Sequence, residues 1–109
     1  MKPRDMRDLV WFDEEAARTE VLFETDRLWS QLVCLQGAQG IGPLADHDAD
    51  AIVSVLAGQV AVQVGKGRGR MRQWHAVLVP AGTELTIRNA SDEPAVVQVT
   101  TAPPPGSAV

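Results

Sequence analysis

Residues 43–64, PLADHDADAIVSVLAGQVAVQV, carry the reading that decides the fold. In the second half, Val60, Val62 and Val64 fall on one side of an extended chain and Gln59, Ala61 and Gln63 on the other, the period of two of a half-buried strand. Gly58 stands where the chain has to bend. In the first half, an extended run over 45–55 puts Ala45, His47, Ala49, Ala51, Val53 and Val55 on one side. Asp46, Asp48, Asp50, Ile52, Ser54 and Leu56 then take the other side. One imidazole thus lies in an apolar row, with three carboxylates along the opposite edge. The row holding His47 is where a ligand or metal pocket is expected.

Working outward, residues 20–25 and 28–35 read as strands, and 36–42, with Gly37, Gly40 and Gly42, as a turn-rich break. Residues 13–18, DEEAAR, are expected to form one helical turn with Asp13 as N-cap, and the densely charged residues 1–8 to lie on the surface or fray. On the other side, the central hairpin is followed by a flexible tip at 65–69 and a return strand that starts at 70–73. Strands at 75–79, 84–89 and 95–101 follow, separated by Pro80-Ala81-Gly82 and by Ser91-Asp92-Glu93-Pro94. Pro103, Pro104 and Pro105 remove three consecutive backbone donors, so no ladder continues there. Trp11, Trp29 and Trp74 read as packing residues. About eight short strands at near-regular spacing, with almost no helical periodicity, make an all-β sandwich or barrel. The expected division is an N-terminal arm with short strands at 1–27, a barrel at 28–102 and a flexible Pro-rich tail at 103–109.

The 109 residues suit one domain, and a hydrophobic fraction of 45% with 22% charged residues suits a soluble one. No apolar run approaches the ~18 residues of a membrane span, and the start lacks an apolar leader segment, so a cytoplasmic protein without a membrane partner is expected. Cys34, the single cysteine, excludes an internal disulfide and a multi-cysteine zinc site and reads as a core residue rather than a reactive thiol. The formal charge is −4, and eight of the fourteen acidic residues fall in the first 26 positions, the reverse of a nucleic-acid binder. No nucleic-acid partner is expected. GKGRGRMR is the local exception, with Lys66, Arg68, Arg70 and Arg72 on alternate positions. It is either an anion or phosphate site or a solvated hairpin whose charges face water or the Asp46 to Asp50 edge. Its glycines have the wrong spacing for a phosphate loop. Asp46, Asp48 and Asp50 imitate the start of a calcium loop, but Ala51 and Ala57 replace its glycine and glutamate, which leaves an acidic lip. Ser30, Ser54 and Ser91 lack an elbow motif for nucleophilic catalysis.

Two segments narrow the all-β reading to a family. Pro43-Leu44-x-x-His47-x-x-x-Ala51 with Gly58 resembles the first cupin motif, and Pro80-x-Gly82-x-x-Leu85-x-x-x-Asn89 resembles the second. SDEPAVVQVTTAPP is similar to the last strand of small cupins. The resemblance implies a double-stranded β-helix, a jelly-roll-like barrel with one open mouth, usually paired into a homodimer. The N-terminal strands, or an apolar sheet face such as Ile52 and Leu56, are the expected dimer contact. It also implies a divalent metal held by three histidines and a glutamate, whose positions match Ala45, His47, Ala51 and Leu85 here. One ligand of four survives, and Trp74-His75 replaces the usual Gly-Asp pair before the second motif. No metal and no other cofactor is therefore expected. Ala45, Ala51, Leu85 and His47 are expected to line a pocket for a small apolar ligand in a binding or accessory protein, with His47 as hydrogen-bond donor. The alternatives are a filled core, or a metal-independent isomerase, epimerase or cyclase in which His47 is general acid or base with Glu84 or His75 as partner. A metal-dependent enzyme is less favoured. A sensor role in transcription needs a DNA-binding domain, for which these residues contain no segment.

Overall fold

Alternation over 59–64 implies a strand that buries one face, 28–35 and 95–101 also read as strands, and a computed structural model, which describes residues 1–105, places all three segments in sheets. Among the described residues the strands are β1 (Arg18–Glu24), β2 (Trp29–Leu35), β3 (Gly40–Leu44), β4 (Asp50–Ala57), β5 (Gln59–Val64), β6 (Gly67–Arg72), β7 (Ala76–Val79), β8 (Leu85–Arg88) and β9 (Ala95–Ala102). They form a sheet ordered β1-β2-β9-β4-β7 and a second ordered β3-β8-β5-β6, with antiparallel pairing throughout. The two sheets face each other as the expected double-stranded β-helix. Val33, Leu35, Val53, Val55, Val97 and Val99 of the first sheet meet Val60, Val62, Met71, Leu85 and Ile87 of the second. Each such side chain contributes about 1.5–3 kcal/mol by leaving water.

Three expectations change. First, β4 and β5 do not pair with each other: β4 lies between β9 and β7, and β5 between β8 and β6. Gly58 is the corner where the chain passes from one sheet to the other. Its φ is +74°, and a Cβ there would press on the Pro94 carbonyl and lie 2.9 Å from the Ala95 Cα. Second, residues 45–49 are not strand. The Asp46 carboxylate accepts from the Asp48 N–H at 2.9 Å and the Asp46 carbonyl accepts from the Gly82 N–H at 2.8 Å. A short acidic side chain that takes a neighbouring N–H competes with the ladder. The parity counted from Ala45 to Val55 is thereby broken. Third, the break after β2 covers only 36–39, because β3 pairs with β8 through Gly40–Arg88, Ile41–Ile87 and Leu44–Leu85.

The N-terminal segment also differs from expectation. A 3-10 helix spans Met6–Leu9, whereas Asp13 accepts from the Glu15 N–H at 2.8 Å in a turn and caps no helix. Arg4 donates to the Leu22 carbonyl at 2.7 Å, and the Arg18 guanidinium stacks 3.6 Å above the Trp11 ring beside its ion pair with Glu20. Leu32 and Cys34 project from the outer face of the first sheet yet are fully buried, and the Trp11 backbone N–H approaches the Cys34 sulfur. The tail reading at 103–109 lies partly outside the described residues. No helix among them is long and apolar enough to cross a membrane.

Candidate functional site

Side chains two apart on a strand share a face, so register alone defines the floor of the barrel mouth. Trp29, Thr101, Ala51 and Val79 form one row across β2, β9, β4 and β7. Gln31, Val99, Val53 and Val77 form the row beneath it. Leu85 faces them from the second sheet, the 44–49 segment closes one side, and Pro80, Thr83 and Pro105 close another. The cavity, open to solvent at the mouth, has a volume of about 320 Å³.

Its walls are mainly hydrocarbon, with a few polar groups set among them. Gln31 and Thr101 are 9% and 7% exposed, and neither side chain makes a hydrogen bond among the described residues. Asp46 is the one ionisable side chain in the lining, and its Oδ1 is already held by the Asp48 N–H.

Of the four residues expected to line this pocket, Ala45, Ala51 and Leu85 do so. His47 does not: it is exposed and stands outside the lining, at the rim beside Gly82, where a Cβ would come within 3.7 Å of the His47 Nδ1. The turn at 45–49 accounts for both this and the entry of Asp46, which strict alternation aims away from the cavity. Trp29, expected only to pack, forms part of the wall. Trp74, also expected to pack, is 83% exposed. Sequence reasoning does not single out Gln31 and Thr101, although both sit in the inward parity of otherwise apolar strands, as the third residue of WSQLVCL and the seventh of AVVQVTTA.

The divalent ion that the motifs imply does not fit these residues. Three of the four ligand positions carry hydrocarbon side chains and the fourth, His47, lies outside the cavity. Among the described residues no three His, Cys, Asp or Glu side chains stand together in a way that would hold an ion. A single imidazole does not offset the loss of the ion's water shell. Asp46 and Asp50 are instead turn acceptors, Asp50 taking the Ala81 N–H at 2.8 Å. Glu84 and His75, the expected partners of His47, are exposed, and neither lines the mouth. Cys34 is fully buried, and that burial pushes its thiol pKa up, away from nucleophilic character.

The cupin domain family matches residues 31–101 of this chain. Among solved structures the chain is similar to TT1209 from Thermus thermophilus, at 28% identity and a TM-score of 0.92 over 96% of this chain and 100% of that one. It is also similar in fold to KdgF from Halomonas sp., at 17% identity and a TM-score of 0.79 over 94% of each chain. A sugar phosphate isomerase of the cupin superfamily from Silicibacter pomeroyi shares the fold at 22% identity and a TM-score of 0.65, over 70% of this chain and 50% of that one. No curated protein matches the chain. With the family match running from the second strand to the last and both sheets in place, the chain belongs to the cupin family.

Proposed function

We propose that this protein binds a small, largely apolar molecule in the barrel mouth without a metal ion, as a binding or accessory protein rather than a catalyst. The observation that carries this reading is the pair Gln31 and Thr101, two polar side chains of low exposure without hydrogen bonds among the described residues, on the wall of a cavity of about 320 Å³. That volume falls at the lower end of small-molecule sites, which combine apolar walls with a few polar groups. The amide and the hydroxyl still reach solvent through the mouth, and a ligand that offers both of them partners exchanges those water contacts for oriented hydrogen bonds in an apolar surround. Acid–base catalysis has less support, because a catalytic group must reach the substrate, and the lining offers only Asp46, with one of its oxygens engaged.

The test is a fragment screen on the full chain, read by amide chemical shifts. Hits are expected to perturb Gln31, Ala51 and Thr101 together. Gln31→Leu is expected to weaken a hit by about tenfold, and Ala51→Phe, which fills the mouth, to abolish binding. Hits that leave these resonances unmoved, or an affinity indifferent to both substitutions, would defeat the reading.

A further inference from the structure

We propose that the outer face of the second sheet is a separate site for a small anion carrying two or more phosphate groups. The site is built by register. Arg70 on β6 and Arg88 on β8 both stand opposite Ala61 on β5, one on each side of it. The next row along the same face is Arg68, Gln63 and Thr86. Ala61 is short where its neighbours are long, so the three arginines and Thr86 border a cleft of about 450 Å³ above it. Arg72 continues the series opposite Gln59.

These charges have no counterpart among the described residues. The ion pairs among the described residues are Arg7 with Asp5 and Arg18 with Glu20, so no described carboxylate lies within 4 Å of Arg68, Arg70, Arg72 or Arg88. The Asp46 to Asp50 edge does not neutralise them. Four of the ten basic residues of a chain with net charge −4 are therefore gathered on one exposed face. Neighbouring like charges are unfavourable on a sheet, and guanidinium groups are suited to bidentate contact with phosphate. An anion with several charges in a small space relieves the repulsion and uses the forks.

Dimensions and net charge select the class of ligand. Arg70 and Arg88 are two strand spacings apart, about 10 Å, and the rows are about 7 Å apart along the strands. That patch accommodates a diphosphate or triphosphate group. A nucleic-acid tract needs a longer basic track and would meet the repulsion of an acidic protein. Arg68 also walls a second cleft, of about 520 Å³, between the edge strands β6 and β7, together with Met71, Trp74, His75 and Val77. This gap stays open because Gly67 and Gly69 take the inward positions of β6, and a Cβ on Gly69 would meet nothing within 4 Å. Trp74 beside it has a φ of +77°, a conformation uncommon outside glycine. The diphosphate group thus has two sources, inorganic pyrophosphate or a nucleoside polyphosphate whose ring reaches the Trp74 side.

The experiment titrates the full chain with sodium pyrophosphate, with adenosine triphosphate and with a single-stranded oligonucleotide, by calorimetry and by tryptophan fluorescence, with sulfate as reference. Saturable binding tighter than that of sulfate is expected, weakened about tenfold or more by Arg70→Gln and by Arg88→Gln. Arg27→Gln, an exposed arginine in the turn before β2, is expected to change nothing. All three sites are exposed, and unchanged melting temperatures will establish that the variants are folded. Binding of both anions with equal affinity assigns the inorganic source; tighter binding of adenosine triphosphate, lost in Trp74→Ala, assigns the nucleoside source. Equal weakening by Arg27→Gln, affinity no better than for sulfate, or binding only of single-stranded oligonucleotides would overturn the proposal. The barrel mouth plays no part in this test, so either proposal can fail alone.

Discussion

Asn89 and Leu35, 54 positions apart, are joined by a hydrogen bond of 3.0 Å from the Asn89 Nδ2 to the Leu35 carbonyl. The same nitrogen donates to the Glu93 carbonyl at 2.7 Å, while the Asn89 Oδ1 accepts from the Ser91 N–H and hydroxyl. One fully buried amide therefore ties the end of β8 to the end of β2 and shapes the turn into β9. Asn89→Ala is expected to cost about 2–4 kcal/mol in urea unfolding, because it strands buried carbonyls as well as deleting bonds. Asn89→Asp is expected to be at least as damaging, since it points an acceptor at two carbonyls. A loss below about 1 kcal/mol would show that water replaces the amide.

Gly58 and Gly69 are expected to respond oppositely to alanine. Gly58, at φ +74° and against Pro94 and Ala95, is expected to lose about 2 kcal/mol or more. Gly69 has ordinary φ and open space, so its alanine variant is expected to be neutral or to gain up to about 1 kcal/mol. Equal effects in denaturant titrations would contradict the assignment of the corner.

Cys34 gives a pH dependence with a defined sign. Burial raises the thiol pKa in the folded protein above that of the unfolded chain. The contribution is fully present below the unfolded thiol's pKa of about 8.5, and is lost as pH rises from there through the folded value. The Cys34→Ala variant keeps every other titratable group, so the comparison isolates the thiol. Unfolding midpoints at pH 7 and pH 10 are expected to differ more for the wild type than for Cys34→Ala. Parallel pH curves for the two proteins would remove Cys34 as the cause.

Ile52 and Leu78 are direct partners on β4 and β7 and are 49% and 58% exposed on the outer face of the first sheet. Leu56, expected beside Ile52 in the same contact, is half-buried. We propose that this face pairs with a second copy of the chain, as isologous dimers use one self-complementary patch. Ile52→Glu with Leu78→Glu is then expected to halve the mass seen by light scattering at micromolar concentration. An unchanged mass would place any dimer contact elsewhere.

Much of the fold was legible in single residues. Val60, Val62 and Val64 lie inward as their alternation requires, and Arg68, Arg70 and Arg72 share the outer face. Illegible was whatever depends on a backbone hydrogen bond made outside a ladder. The Asp46 side chain captures the Asp48 N–H, the strand pattern stops, and His47 leaves the row that counting by twos assigns to it. Gln31 and Thr101 could be assigned an inward parity, but not a shared cavity.

The sequence by itself carried most of the strands, the motif resemblance to the cupins and the replacement of three metal-ligand positions by Ala45, Ala51 and Leu85, because those are properties of each position and its near neighbours. Only the tertiary structure decided that Gly58 is a corner between sheets, that His47 stands outside the mouth, and that Arg88 joins Arg70 across Ala61. A period of two states which way a side chain faces. Which strands become neighbours depends on contacts between segments distant in sequence, and that pairing brings together the residues of both proposed sites.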